Sequence, residues 1–158
     1  MASNSSQGEG KLTKKPMMEG NKGGHECEFV EKPPKAFQSE CPVCLLILRE
    51  PFQVTCCGYA FCRACIERIK KDNKPCPCCN SNDFDKFEDK RLNRSLYKFK
   101  IYCINKEQGC KWQGELKELD NHLNYNPGQQ NQLDGCQFMK INCLHCAELF
   151  LRSVILGA

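Results

Sequence analysis

Cysteine makes up 15 of the 158 residues, and most of these thiols stand at spacings that suit a metal ion. Three pairs have two residues between their members: Cys41/Cys44, Cys62/Cys65 and Cys76/Cys79. A doublet, Cys56–Cys57, lies between the first pair and the second. Tetrahedral zinc takes four thiolate or imidazole donors, with Zn–S near ~2.3 Å, and a two-residue spacer lets one tight turn present two sulfurs. Eight donors therefore imply two ions in this stretch. Further along, Cys103, Cys110, His122 and Cys136 form a second kind of set, in which a two-cysteine loop precedes a histidine. Cys143 and Cys146 open another pair, and no Cys or His follows them.

The alternative use of so many cysteines is a disulfide scaffold. The odd count argues against it, as does an N-terminus rich in Ser, Gly and Lys with no apolar signal-peptide core. Thiols without an export signal are expected to stay reduced, so a cytoplasmic location is expected with them. Zinc would also stand in for the core that each short module cannot bury, because structural binding energy doubles as folding energy. The net charge of +4 is spread along the chain. No dense basic stripe marks a nucleic-acid interface, and Glu115, Glu118 and Asp120 line the exposed side of the expected finger helix. No apolar run reaches membrane-spanning length.

Several elements must position these donors. Residues 1–36 read as a disordered tail, which includes His25 and Cys27 without partner spacing. Residues 37–80 form the first module. Within it Arg63 to about Lys71 has the spacing of a short helix, with Ala64, Ile66 and Ile69 on its apolar side, broken by Asp72–Pro75. Residues 81–100 read as a linker with a possible short helix over Lys90–Tyr97, serving as a spacer or for self-association. Residues 101–136 form the second module. Its Gly114–Leu123 segment reads as a helix with Leu116, Leu119 and Leu123 on one face and His122 beside it. Residues 137–158 hold an incomplete further finger and a tail. The fold class expected is small zinc-stabilised α+β modules.

The strings C-P-V-C-L (Cys41–Leu45), C-G-x-x-F-C-x-x-C-I (Cys57–Ile66) and C-P-x-C (Cys76–Cys79) resemble the RING finger family. The resemblance implies a cross-brace, in which Cys41, Cys44, Cys62 and Cys65 share one zinc while Cys76 and Cys79 share a second with the Cys56–Tyr59 segment. The chain departs from the family where Tyr59 replaces the usual histidine. The missing donor can be supplied by the Cys56–Cys57 doublet or by Cys78; the remaining alternative is a labile site. The string G-C-K-W-Q-G (Gly109–Gly114), followed by L-x-x-L-x-x-H-L, resembles the TRAF-type zinc finger. That resemblance implies a third zinc on Cys103, Cys110, His122 and Cys136, with Trp112 packing beneath the helix.

RING plus TRAF-type fingers is the N-terminal arrangement of the TNF receptor-associated factors, and the resemblance covers about residues 37–150. It implies a RING-type ubiquitin ligase or signalling adaptor whose partners are a ubiquitin-conjugating enzyme, ubiquitin, and signalling proteins or receptors. The contact residues carried over by position are Val43, Leu45 and Pro77, supported by Ile66 and Ile69. No catalytic residue is implied, because the thioester belongs to the conjugating enzyme. Asn80 stands where many RINGs place a cation that touches ubiquitin. Two other readings compete: a non-catalytic zinc scaffold and a nucleic-acid-binding zinc protein.

Overall fold

Short strands and short helices are what a chain this rich in turns and metal ligands can build, and they nucleate around the cysteine pairs. The structure is a computed structural model that describes residues 23–124, 135–142, 146 and 148–151. Strand β1 (Pro51–Val54) and β2 (Ala60–Cys62) form a hairpin, with Phe52 opposite Phe61. Gly58, at φ 74, turns the hairpin tip, and its amide donates to Val54 O at 3.0 Å. Glycine takes that left-handed geometry without the Cβ penalty. The tip therefore carries Cys56 and Cys57, while β2 ends on Cys62.

Helix α1 (Arg63–Lys71) starts directly after Cys62. Cys65, Ile66 and Ile69 are buried, and Arg68, Lys70 and Lys71 sit in the last turn, where cations oppose the helix dipole. Lys70 reaches back to the Phe84 carbonyl, with its Nζ 4.3 Å from the Phe84 ring centroid. This contact ties the chain after the third cysteine pair to the helix. Strand β3 (Lys86–Glu88) then adds to β1, giving the order β2-β1-β3. Asp89 caps α2 (Lys90–Leu96) by accepting from the Leu92 amide at 2.9 Å.

The expected spacer over residues 81–100 thus contributes a sheet edge and a packed helix. Leu96 is fully buried, and one core runs from Phe61, Ile66 and Ile69 through Leu96 to Ile101, Leu116 and Leu119. In the second module β4 (Lys100–Tyr102) pairs with β5 (Gln113–Glu115). The long helix expected from Gly114 is shorter than the periodicity suggests. Gly114 and Glu115 lie in β5, Leu116–Glu118 is a 3₁₀ turn, and α3 covers only Leu119–Leu123. A capping box between Glu115 and Glu118 marks the change of direction. Helical spacing over three leucines was satisfied by barely two turns; ladder pairing with β4 took the remainder. Strands β6 (Lys140–Asn142) and β7 (Leu149–Leu151) pair beyond it.

The expected tail is packed from Gly23 onward. His25 bridges Ile47, Phe29 bridges Ile101, Val30 N donates to Lys100 O, and Tyr102 N donates to Glu28 O. Phe29 and Phe37 both pack against Phe99, at centroid distances of 5.7 and 5.2 Å. Residues 23–30 form a strap joining both modules.

His25 is a titratable residue inside that strap, 5% exposed, with Nδ1 3.2 Å from the Arg49 guanidinium. Burial first, and then Arg49, pull its pKa down to about 4 against a smaller opposing pull from Asp120. A depressed histidine stabilises the fold fully above about pH 6.5, and this contribution is lost as pH falls toward 4. The loss amounts to about 3 kcal/mol. Chemical denaturation at pH 7 and pH 5 is expected to show a smaller stability loss for His25→Gln than for the natural sequence.

Candidate metal centres

Three groups of four donors meet in space among the described residues, and in each the donor atoms all lie within 4.8 Å of one another. Bonds of ~2.3 Å make the sulfur–sulfur edge of a tetrahedron about 3.8 Å. The observed separations match: 3.8 Å for Cys44–Cys62, 3.7 Å for Cys57–Cys76, and 3.7 Å for Cys103–Cys136. A disulfide needs about 2.05 Å. The donor sets therefore have the spacing, number and chemistry that zinc requires.

The first centre gathers Cys41, Cys44, Cys62 and Cys65. Three of the four are buried, because β2 and α1 carry Cys62 and Cys65 into the core. Backbone amides point at the sulfurs: Cys62 N at Cys41 Sγ, Arg49 N at Cys62 Sγ, and Gly24 N at Cys44 Sγ, all at 3.3–3.4 Å. Such donors favour the charged thiolate. The Gly24 contact comes from the strap and was invisible in the cysteine spacing; the adjacent glycines Gly23-Gly24 were its only trace. A Cβ on Gly23 would sit 3.2 Å from Cys44 Sγ.

The second centre gathers Cys56, Cys57, Cys76 and Cys79. The structure brings both members of the doublet to the site, together with the third pair. Cys78 is outside this set and exposed, and Tyr59 is half-exposed. Only Cys76 is buried; Cys56 and Cys57 are half-buried and Cys79 is exposed. Burial opposes ionisation of Cys76, yet the amides of Cys79 and Cys78 bring its thiol down to about 7. Sites one and two draw on alternating segments of chain, which is the interleaved arrangement.

The two knuckles share one device. Leu45 N donates to Cys41 O, and Asn80 N donates to Cys76 O, each at 2.8 Å. Both residues have left-handed backbones, φ 60 and φ 61. Asparagine accepts that region readily, whereas leucine pays about 1–2 kcal/mol there. The turn puts Leu45 in solvent at 68% exposure. Of the carried-over contact residues, Leu45 and Pro77 are exposed and Val43 is half-buried against the core. Ile66 and Ile69 are core residues, at 0% and 8%.

The third centre gathers Cys103, Cys110, His122 and Cys136. His122 Nε2 lies 3.3 Å from Cys103 Sγ and 3.4 Å from Cys110 Sγ. With a Zn–N bond of ~2.0–2.1 Å, the expected edge is about 3.5 Å. Trp112 fixes the imidazole by stacking on it, with centroids 4.4 Å apart and 7° between planes. Sequence reasoning missed Asn105, whose backbone amide points at Cys103 Sγ and whose side-chain amide points at Cys136 Sγ. Its position two residues after a ligand was the only available signal. Burial, followed by the neighbouring sulfurs, would hold Cys103 up near 12, and a bound cation reverses that cost.

Cys143 lies outside the described residues, and Cys146 is exposed. Cys27 is half-buried, and its thiol is pushed up to about 12 by burial, which keeps it protonated. No described helix is long and apolar enough to cross a membrane.

The sequence pattern described as zinc finger, C3HC4 type (RING finger), matches residues 40–79. TNF receptor-associated factor 6-B of Xenopus laevis is 36% identical over 133 residues, which cover 82% of this chain and 21% of that protein. TNF receptor-associated factor 6 of Mus musculus is 34% identical over 130 residues, covering 80% of this chain and 22% of its own length. The human protein of that name is 32% identical over 130 residues, with the same shares. The chain thus spans about a fifth of the length of these relatives. Over its RING and zinc-finger region, it belongs to the TNF receptor-associated factor family.

Proposed function

We propose that the chain acts as a RING-type ubiquitin ligase or signalling adaptor, docking a ubiquitin-conjugating enzyme on the surface formed by the two knuckles. The observation that carries this reading is Leu45: a large apolar side chain held in solvent by a strained backbone turn. Strain of this kind persists where the surroundings over-determine it and is a pointer to function. Half-buried Val43 and exposed Pro77, each between the members of a cysteine pair, are the other contact residues of this proposal. The twelve donors of the three groups would hold three zincs, which supply rigidity rather than reaction chemistry.

The chemistry proposed is indirect. The substrate lysine attacks a thioester carried by the partner, and this chain supplies position and orientation, a source of large rate effects when reacting groups are held near attack geometry. Cytoplasmic location and receptor or signalling partners belong to the same proposal. Asn80 is exposed at φ 61 where related RINGs place a cation. It favours weak assistance from this position.

Leu45→Ala is the direct test. Leu45 makes little use of the core, so the melting temperature should shift by no more than a few degrees and zinc content should remain at three. Affinity for a conjugating enzyme should fall by about tenfold to a hundredfold, as expected for an interface anchor, and self-ubiquitination should fall with it. Unchanged binding and transfer in the variant would remove this surface from consideration. Binding without transfer in the natural sequence would leave an adaptor.

A further inference from the structure

The net charge of the chain is modest, yet folding leaves a run of cations without partners along α2 and the start of β4. Every exposed residue between Lys90 and Lys100 is a cation: Lys90, Arg91, Arg94, Lys98 and Lys100. Arg91, Arg94 and Lys98 recur at i, i+3 and i+7, on the side of α2 and its closing turn that faces away from buried Leu96. Lys100 follows on β4, on the opposite side of the strand from buried Ile101. The neighbouring acids are already engaged. Asp89 caps α2, Glu88 pairs with Lys90, Glu28 with Lys106, and Glu115 with Lys117. Arg91, Arg94, Lys98 and Lys100 make no ion pair among the described residues. Between Val30, which donates to Lys100 O, and Phe37, which packs on Phe99, the chain adds exposed Lys32 and Lys35, with Glu31 as the exposed acid beside them. We propose that this basic face is a docking surface for an acidic peptide segment of a partner protein.

The face offers charge and little else, which selects the partner. An anionic membrane is held firmly when apolar side chains insert among the cations, but the exposed large hydrophobics, Leu45, Tyr59 and Phe87, belong to other elements. Single-stranded nucleic acid needs open aromatic rings on which its bases stack. The aromatics interleaved with these cations are occupied. Phe99 packs with Phe29 and Phe37, and Tyr102 lies under Lys106 Nζ at 3.9 Å from its centroid. Carboxylates need only what is present. The guanidinium groups of Arg91 and Arg94 can each fork onto a carboxylate through two parallel N–H donors. Lys98 and Lys100 extend the positive field along a bound acidic chain. Exposed ion pairs are individually weak, so the expected recognition is weak, salt-sensitive and selective by sign.

The test uses the zinc-loaded full chain and a fluorescein-labelled oligoglutamate peptide, followed by anisotropy. Saturable binding is expected at low ionic strength, weakening about tenfold toward physiological salt as the Debye length contracts. Arg91→Glu/Arg94→Glu should lower the affinity by at least about tenfold. Both residues are exposed and outside the donor groups, so three zincs and the melting temperature should be retained. Arg91→Gln/Arg94→Gln should give an intermediate loss, and it reports on the surface if charge reversal disturbs the helix. Lys71→Glu/Lys74→Glu changes the net charge equally at exposed positions in and just after the last turn of α1. It should leave affinity within about threefold of the natural sequence. Absence of saturable binding would overturn the proposal, as would equal losses in the two charge-reversal variants. So would tighter binding to phosphatidylserine vesicles, or to oligouridylate of the same length, than to oligoglutamate at the same salt. None of these readouts depends on ubiquitin transfer.

Discussion

Cys62→Ser is expected to unfold the RING module and lower the zinc content from three toward one. Cys62 is fully buried at the junction of β2 and α1, where it closes the β2 pairing opposite Pro51 and occupies the position before the first turn of the helix. Its sulfur lies 3.8 Å from Cys44 Sγ and accepts the Arg49 amide, while its own amide points at Cys41 Sγ. A serine there leaves three donors, two of them buried, around an incomplete site. Structural zinc contributes roughly 10–16 kcal/mol of apparent binding energy, which equals or exceeds the ~5–15 kcal/mol stability of a whole domain. Elemental analysis and the dispersion of amide resonances measure the two effects together. Cys79→Ser should be milder because Cys79 is exposed: weaker metal retention with the sheet and α1 intact. A folded Cys62→Ser RING retaining both metals would contradict the assignment of the first centre.

Gly24→Val is expected to detach the strap from the RING. A Cβ at this position would fall 2.2 Å from Ile47 O and 2.7 Å from Leu46 Cβ, and the first of these is backbone. The obstacle cannot rotate away. The strand-like bridge of His25 to Ile47 and the Gly24 N to Cys44 Sγ contact would both be lost. The cost should be about 3 kcal/mol, toward the upper range of single substitutions. Hydrogen exchange should show lost protection at the His25 and Val30 amides, which are bonded to Ile47 O and Lys100 O. Gly23→Ala is the comparator. Its nearest contacts are with the Cys44 side chain at 3.1 and 3.2 Å, so a smaller loss is expected.

The metal clusters were legible in the sequence because ligand chemistry is local: a two-residue spacer and a tight turn suffice to aim two sulfurs. Helix α1 was legible for a similar reason, since Ile66 and Ile69 repeat within its own turns. The strap was not. Its apolar content is sparse, with Phe29 and Val30 among charged neighbours, and its order rests on backbone pairing with Ile47, Lys100 and Ile101. Composition does not report such long-range partners. The same holds for β3, which is polar and becomes a strand only because β1 has an open edge. In the second module, Gly114 and Glu115 fitted a helical pattern, but their amides and carbonyls found partners on β4 first. Among site residues, the doublet was one of the open alternatives, while Asn105 and Gly24, which donate to thiolates from outside the donor sets, had no spacing rule to announce them.

The strap also has a bearing on how the chain is made. Residues 23–30 leave the ribosome before the RING does, yet Phe29 pairs with Ile101 and Val30 with Lys100, which are translated after the entire RING. The RING ligands can assemble once Cys79 is available, but the N-terminal segment must remain unpaired at its far end until β4 appears. Contacts of this sequence separation form late and slow folding. A chain truncated between Cys79 and Lys100 should therefore hold two metals while residues 28–30 stay open to protease, and their cleavage should stop once the second module is present.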